Sequence, residues 1–363
     1  MLINADALGR FVAEIFHAKG CDREEAARVG TSLVGANLTG HDSHGVVRVP
    51  RYVQYVDEGK LVPGQQPSVV TESGSMALLD GNYGFGQTIG PAATERGIAM
   101  AAQHGVAVIA VRNSGHMGRI GEYAEMAAAQ NQFSVHFVNV AGALLVAPFG
   151  GVERRFSTAP FAAGVPQGEA PPIILDFATS VVAEGKALVA YNGGKPIPGN
   201  ALITPDGELS ADPLVLYGAD AEGPAPNPRN GPGALRAMGD HKGSGLALIC
   251  ELLAGALTGS GCAGPTERQV ANGMLSLYMA VDAFDGDNAV AREVAAYAEF
   301  VKGSRPAEVD GEVLLPGEPE RRTRQDRLAS GVPLTDENWA ALTDTARRVG
   351  LDEAAIEAAA AGG

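Results

Sequence analysis

The chain predicts an α/β fold preceded by a helical cap, and three observations carry that reading. The first 60 or so residues hold capped helical segments one after another. From Ser75 the texture changes to short apolar strands alternating with helices, the pattern of an α/β domain. The 363 residues, 45% hydrophobic and 19% charged, suffice for two or three domains with a sizeable core and are not those of a disordered chain.

Taken in order, Asp6 can cap a helix reaching His17, and Asp22 one reaching about Leu38. A third runs from about Val46 to Glu58, with Pro50 near its first turn, where a missing N–H costs least. Gly59 and the Pro63–Pro67 stretch close the cap. Met76–Asp80 then reads as a strand, Thr88–His104 as a helix, Val106–Val111 as a buried strand and Arg119–Gln130 as a helix. Phe133–Val138 and Ile173–Phe177 follow as strands, the second leading into a helix from Thr179 to Tyr191. Residues 192–234, rich in Gly, Pro and Asn, are loop with a short hairpin around Pro205-Asp206-Gly207. An apolar helix over Gly243–Leu257, a strand at Ser276–Val281, a helix over Ala289–Lys302 and a strand at Glu312–Leu315 complete the alternation. Thr335–Val349 is a capped helix, and the alanine-rich end is expected to fray. There is no internal repeat.

Composition excludes several functions. A formal net charge of −15 argues against a nucleic-acid surface and against attachment to anionic lipid. Cys21, Cys250 and Cys262 form no CxxC pair and leave one over, which favours a reducing compartment. No signal-peptide pattern opens the chain, and the longest apolar run, Gly245 to Leu257, is interrupted by Glu251 and too short to span a bilayer. The expectation is a cytoplasmic protein without membrane or nucleic-acid partners.

Two stretches suggest chemistry. Asp42-Ser43-His44-Gly45 continues to Arg48 and Tyr52, and spacing at i, i+4 and i+8 would stack His44, Arg48 and Tyr52 on one helical face. Arg48 offers a two-pronged donor suited to a carboxylate, and a neighbouring histidine can trade a proton near neutral pH. Asn113-Ser114-Gly115-His116-Met117-Gly118 places His116 between a strand and a helix, where the positive end of the dipole disfavours an imidazolium. A turn histidine satisfied by the backbone is the plainer reading of His116 taken alone. His41 and His44 flank Asp42, but with no HExxH and no third ligand at short spacing, no metal is expected.

Three glycine-rich or hydroxyl-bearing helix openings suit a phosphate or a tight turn alike. Gly84-Phe85-Gly86-Gln87-Thr88-Ile89-Gly90 has GxGxxxG rather than GxGxxG spacing, and the next strand ends in Arg112, not an acid. Asp176 ends a strand ahead of Ala178-Thr179-Ser180, where a helix N-cap explains the hydroxyls and an anion site is the alternative. Lys186 follows two turns on. Gly239-Asp240-His241-Lys242-Gly243-Ser244-Gly245 is the third. Arginines 321, 322, 324 and 327 read as a solvated basic face.

Seven motifs together resemble the type 2 malate/L-lactate dehydrogenases, a group that also holds ureidoglycolate, sulfolactate and diketogulonate oxidoreductases. They are DSHGVVRVPRY (42–52), DGNYGFGQ (80–87), NSGHMGRIGEY (113–123), STAP (157–160), DFATSVVAEGK (176–186), GDHKGSGLAL (239–248) and LPGE (315–318). The resemblance implies a non-Rossmann NAD(P)-binding α/β fold with a mixed, largely antiparallel sheet and a helical cap from both termini. The implied domains are 1–72 joined by 317–363, 73–120 with 270–316, and a dinucleotide-binding part at 121–269. It further implies a homodimer with the site near the subunit contact, and NAD or NADP held by Asp176, Phe177, Ala178, Thr179, Lys242, Pro316, Gly317 and Glu318. His116 and His44 match the proton-transferring histidines, and Arg48, Ser43 and Tyr52 the side that holds the substrate carboxylate. The implied reaction is hydride transfer between nicotinamide and C2 of a small 2-hydroxy acid, with reduction of a cyclic imine 2-carboxylate or non-catalytic ligand binding as alternatives.

Three positions depart from the family pattern. Ala159 stands where an asparagine is usual, the Asn139–Ala147 stretch offers no acid to orient His116, and Ser244 replaces a tyrosine, an exchange expected to be benign.

Overall fold

A computed structural model describes residues 1–361 apart from 192, 194, 224, 225, 265–268 and 285–287. The helical cap begins with helices Ala5–Ala18 and Arg23–Leu38. The side chain of Asn4, not Asp6, caps the first by accepting the amides of Asp6 and Ala7. Asp22 caps the second through the Glu25 amide. The third helix starts later than expected, at Val49, after two short 3₁₀ turns at Asp42–His44 and Val46–Arg48. Gly45 lies between them in an extended conformation, so His44, Arg48 and Tyr52 do not share a continuous α-helical face.

Both ends of the chain build this layer. Leu2–Ile3 pairs antiparallel with Val332–Pro333, and the core around Phe11, Ile15 and Phe16 also takes in Leu342, Ala346, Ile356 and Ala359. Residues Glu353–Ala361 of the alanine-rich end form a helix, docked through the buried side chains of Ile356 and Ala359. Ahead of it, Glu318–Ser330 is a helix opening at Gly317 in the left-handed region, and Asp336–Arg348 is capped by Thr335.

A seven-stranded sheet forms the centre. Its spatial order is Ser68–Ser73, Met76–Asp80, Val106–Ser114, Ala271–Ala280, Gln132–Ala141, Pro160–Gln167, Ala170–Ala178. The Met76–Asp80 and Val106–Ser114 pair is parallel and the other neighbours are antiparallel, so the sheet is mixed and largely antiparallel, as expected. One continuous sheet thus crosses residue 120, because Ala271–Ala280 pairs with strands from both sides of it. Helices Gly86–His104 and Gly121–Ala128 cover the sheet, burying Ile89, Ile109, Tyr123 and Tyr278.

A smaller four-stranded sheet, with its own core around Val146, Leu202, Leu216 and Leu235, is built from residues 146–236 and contains the expected hairpin between Leu202–Ile203 and Leu209–Ser210. Two expected elements change. Residues 312–315 form no strand: the Leu315 amide goes to the Glu318 carboxylate at 2.8 Å. The helix expected from Thr179 begins at Glu184, because residues 179–181 hydrogen-bond to Thr158, Arg236 and Met238 instead of capping a helix. No helix among the described residues is long and apolar enough to cross a membrane.

Candidate active site

The loop carrying His44 is shaped by its neighbours. Asn37, buried on the second helix, accepts the Val46 amide at 2.9 Å and donates to Asp42 at 2.6 Å. A Cβ on Gly45 would fall 2.1 Å from the Asn37 side chain, so the close approach requires glycine. Arg327 reaches in from the C-terminal half and donates to the Asn37 carbonyl and to both Asp42 carboxylate oxygens. The loop then folds on itself: Arg48 Nε donates to the Ser43 carbonyl at 2.5 Å, and Ser43 Oγ lies 3.2 Å from His44 Nδ1.

His116 arrives from the other side, in the loop after Val106–Ser114. The Met117 amide donates to Asn272 at 2.7 Å, Tyr123 donates to the Met117 carbonyl at 2.6 Å, and a Cβ on Gly86 would meet the His116 carbonyl oxygen at 2.2 Å. The GFGQTIG loop is therefore a packing device under His116; a Cβ on Gly90 would likewise collide with Tyr123.

These loops bring the His44 and His116 rings face to face, with centroids 5.5 Å apart and planes 4° from parallel. Tyr52, almost wholly buried, sets its hydroxyl 2.5 Å from His116 Nδ1. Among the described residues no acid reaches His116, and this tyrosine contacts its Nδ1 instead. Burial first, and then the Arg48 guanidinium, depress His116 to about 3. Burial, His116 and Arg48 likewise hold His44 well below the usual imidazole range. The helix after His116 begins only at Gly121, so burial, not the helix dipole, keeps the imidazole neutral. Burial raises Tyr52 to about 12. A small cavity beside His116 is walled by Tyr52, Leu61, Gly115, Val140 and Asn272.

His41 lies beside His44, with ring centroids 6.5 Å apart, and its Nε2 is 3.6 Å from the Glu320 carboxylate. The arginines following the LPGE motif are not simply solvated: besides Arg327, Arg321 donates to the Pro172 carbonyl at 2.9 Å and Arg322 pairs with Glu312.

Several of the segments singled out for a dinucleotide meet along the strand Ala170–Ala178. The Pro316 carbonyl accepts the Ile174 amide at 3.1 Å, and Gly317, at φ +92°, stands against Ile174, where a Cβ would come within 3.2 Å of its backbone. Past the strand's end, Thr179 donates its hydroxyl to the Thr158 carbonyl at 3.0 Å, and its own carbonyl accepts the Met238 amide at 2.9 Å, just ahead of Lys242. Phe177 packs on Phe161 with centroids 5.6 Å apart, next to Ala178. Two of these residues already have protein partners. Asp176, raised by burial, accepts the Gly121 amide at 2.8 Å, and Glu318 pairs with Lys302. Lys242 is exposed and makes no ion pair with any described residue.

The departures can now be placed. Ala159 is buried at φ +35°, a region that glycine and asparagine enter more readily than alanine. Ser244 accepts the Phe149 amide at 3.0 Å. Asn139 donates to Glu251, a buried carboxylate that also takes the Ser157 hydroxyl and the Ala263 amide. Gln87, Asn37, Arg327 and Asn272 escape sequence reasoning, although Gln87 and Arg327 lie inside stretches it singled out.

The profile of the malate/L-lactate dehydrogenase family matches residues 3–343. Hydroxycarboxylate dehydrogenase B of Escherichia coli is 38% identical over 364 residues, covering 98% of this chain and 96% of that protein. The solved sulfolactate dehydrogenase of Methanocaldococcus jannaschii has a TM-score of 0.83 at 30% identity, with 98% of this chain and 99% of that one covered. The Δ1-piperideine-2-carboxylate reductase of Pseudomonas syringae pv. tomato has a TM-score of 0.79 at 26% identity, with 95% and 99% covered.

Proposed function

The chain belongs to the malate/L-lactate dehydrogenase family, and from that premise we propose that it transfers a hydride between NAD or NADP and C2 of a small 2-hydroxy acid. The observation that carries the reading is the pair of neutral, stacked imidazoles beside Arg48. Arg48 commits Nε to Ser43, and neither Nη group has a partner among the described residues, so the guanidinium fork is open to a carboxylate.

The chain's residues suit a nicotinamide dinucleotide. Lys242 is a cation with no ion-pair partner among the described residues, in a glycine-rich helix opening next to a backbone already joined to Thr179. On this reading Lys242 and Thr179, with Asp176, Phe177 and Ala178 and with Pro316, Gly317 and Glu318, hold the cofactor. The bound nicotinamide supplies the hydride acceptor or donor.

The protein does the rest. Arg48, with Ser43 beside it, grips the carboxylate and fixes C2. His116 has Nδ1 occupied by Tyr52, so Nε2 is the nitrogen that exchanges a proton with the substrate oxygen. During oxidation the ring hydrogen shifts to Nδ1, and the freed Nε2 accepts the hydroxyl proton as hydride leaves C2. During reduction the imidazolium returns it to the developing alkoxide. His44, stacked alongside, hydrogen-bonds the same oxygen or the substrate tail.

The assembly, compartment and domains are part of the proposal. Leu248, Leu252, Tyr297 and Phe300 are exposed and offer apolar area for a homodimer with the site near its contact. Cys21 and Cys250 are buried and form no disulfide among the described residues, in keeping with a reducing cytoplasm. The division into 1–72 with 317–363, 73–120 with 270–316, and 121–269 is supported at its first boundary by the shared core of the two termini.

A second reading, reduction of a cyclic imine 2-carboxylate, is favoured by the likeness to the P. syringae reductase, since the same clamp would hold that substrate. Titrating NADH and NADPH by fluorescence, then following their oxidation with 2-oxo acids and cyclic imines, separates the two readings from simple ligand binding. Pre-steady-state hydride transfer in His44→Ala and His116→Ala tests the roles. If chemistry survives both changes nearly intact, the assignment is wrong.

A further inference from the structure

The side-chain amide of Gln87 is buried, and its two ends are treated unequally. Nε2 donates to the Tyr52 hydroxyl oxygen at 3.3 Å and to the His116 carbonyl at 3.3 Å, while Oε1 is buried with no partner among the described residues. A buried orphan acceptor needs a reason. Turning the amide over would set Oε1 against the His116 carbonyl oxygen, acceptor against acceptor, so the carbonyl fixes which end faces Tyr52.

From this we infer that Gln87 is a positioning residue that fixes the tautomer of His116 through the Tyr52 hydroxyl, leaving the proton of the neutral imidazole on Nε2. The Tyr52 oxygen receives a hydrogen from Gln87, so its own hydrogen has one acceptor within reach among the described residues, His116 Nδ1. Were Nδ1 protonated, Tyr52 would face two N–H donors and its own hydrogen would be buried without a partner. His116 Nε2 therefore carries hydrogen in the unliganded protein, and the site presents a donor to a substrate oxygen. It is set to receive a carbonyl, the oxidised form of the substrate pair.

The tautomer follows from the geometry alone; its catalytic meaning rests on the dehydrogenase reading. The test keeps the two apart. Long-range ¹H–¹⁵N spectra of the full chain labelled at histidine report the tautomer without turnover, with His116 assigned by its loss in His116→Gln. The wild type should show a protonated Nε2 and a bare Nδ1. Gln87→Glu replaces the donor facing Tyr52 with an acceptor, so the tyrosine hydrogen should turn to the carboxylate and the His116 pattern should reverse. In steady state the same variant should raise KM for a 2-oxo acid at least tenfold while cofactor KM changes less than twofold. Should Gln87→Glu fail to fold, neutron diffraction of the deuterated wild type reads the same hydrogens directly. A proton on Nδ1 in the wild type, an unchanged tautomer in Gln87→Glu, or a Gln87 oxygen facing Tyr52 would each overturn the inference. A reversed tautomer in a protein that turns over none of the substrates would uphold it and sink the dehydrogenase reading instead.

Discussion

The Tyr52 hydroxyl stands 2.5 Å from Nδ1 of His116, although the two residues are 64 positions apart and belong to different layers. Tyr52 lies on a helix of the cap, and His116 follows a strand of the central sheet. The His116 ring is thus oriented by the packing of cap on sheet, which on the proposed reading links cap stability to proton transfer. Tyr52→Phe should lower kcat about tenfold, the equivalent of one lost orienting hydrogen bond of roughly 1.4 kcal/mol. The pH dependence of kcat should shift with it, because the ring loses its fixed tautomer. An unchanged kcat and profile would show that the contact is incidental.

Acid stability follows from buried neutral imidazoles. His136, fully buried between Ser276 and Ser134, is depressed by burial to about 3, as is His116 by burial and Arg48. An unfolded chain takes up these protons near pH 6.5, whereas the folded chain does so only near pH 3. The unfolded state therefore binds more protons between those values. The contribution is complete above about pH 6.5 and is lost as the pH falls. Asp176 and Glu122, raised by burial, work in the opposite sense, so the comparison must be with a variant. His136→Asn should flatten the fall of unfolding free energy below pH 6.5 by up to about 1.4 kcal/mol per pH unit, measured by urea titration at several pH values. Parallel slopes for variant and wild type would contradict it.

What could be read from sequence was what periodicity and turn chemistry carry locally. The helix Ala289–Lys302 and the strand Met76–Asp80 fall where expected, because each is set by its own residues. Ser68–Ser73 was missed because it is an exposed edge strand with no inside-outside alternation, and Pro160–Gln167 because Pro and Gly mask it. The histidines and Arg48 stood out through residue type and spacing. Gln87 and Arg327 did not, since their importance lies in contacts across 29 to 290 positions of chain, and Asn37 did not because its bonds to Asp42 and Val46 depend on how the loop folds back on the helix. Thr179 looked like a helix cap and is instead paired with a distant loop, a tertiary preference that no local signal reports.

The clamp on the His44 loop gives a paired prediction. Arg327 and Asp42 are partly exposed, with 18% and 49% of their side-chain surface open, so their pairing is worth at most about 1 kcal/mol. Arg327→Met should change stability little but raise substrate KM, because the turn that positions Ser43 and Arg48 is loosened. Asn37→Ala removes the acceptor of the buried Val46 amide and should cost about 1–3 kcal/mol. Chemical denaturation and steady-state kinetics on both variants decide the matter. Equal destabilisation by the two changes would refute the distinction.

On the proposed reading, Lys242 bears on cofactor binding and not on the chemical step. It is a cation without an ion-pair partner among the described residues, at the opening of helix His241–Cys250, where backbone amides and a positive dipole end already favour an anion. An exposed charge of this kind adds roughly 1 kcal/mol of attraction to a phosphate, about a fivefold change in affinity. Because a phosphate remote from C2 is held equally in ground and transition states, the loss should appear in cofactor Kd and KM and leave kcat at saturation unchanged. Lys242→Met should therefore weaken NAD(P)H binding about fivefold at low salt, with the difference from wild type shrinking as ionic strength rises. Lys302 supplies a comparison: it pairs with Glu318, so Lys302→Met acts on the loop and not directly on a phosphate. If the Lys242→Met defect fell on kcat, or ignored salt, the cation would have no part in holding the dinucleotide.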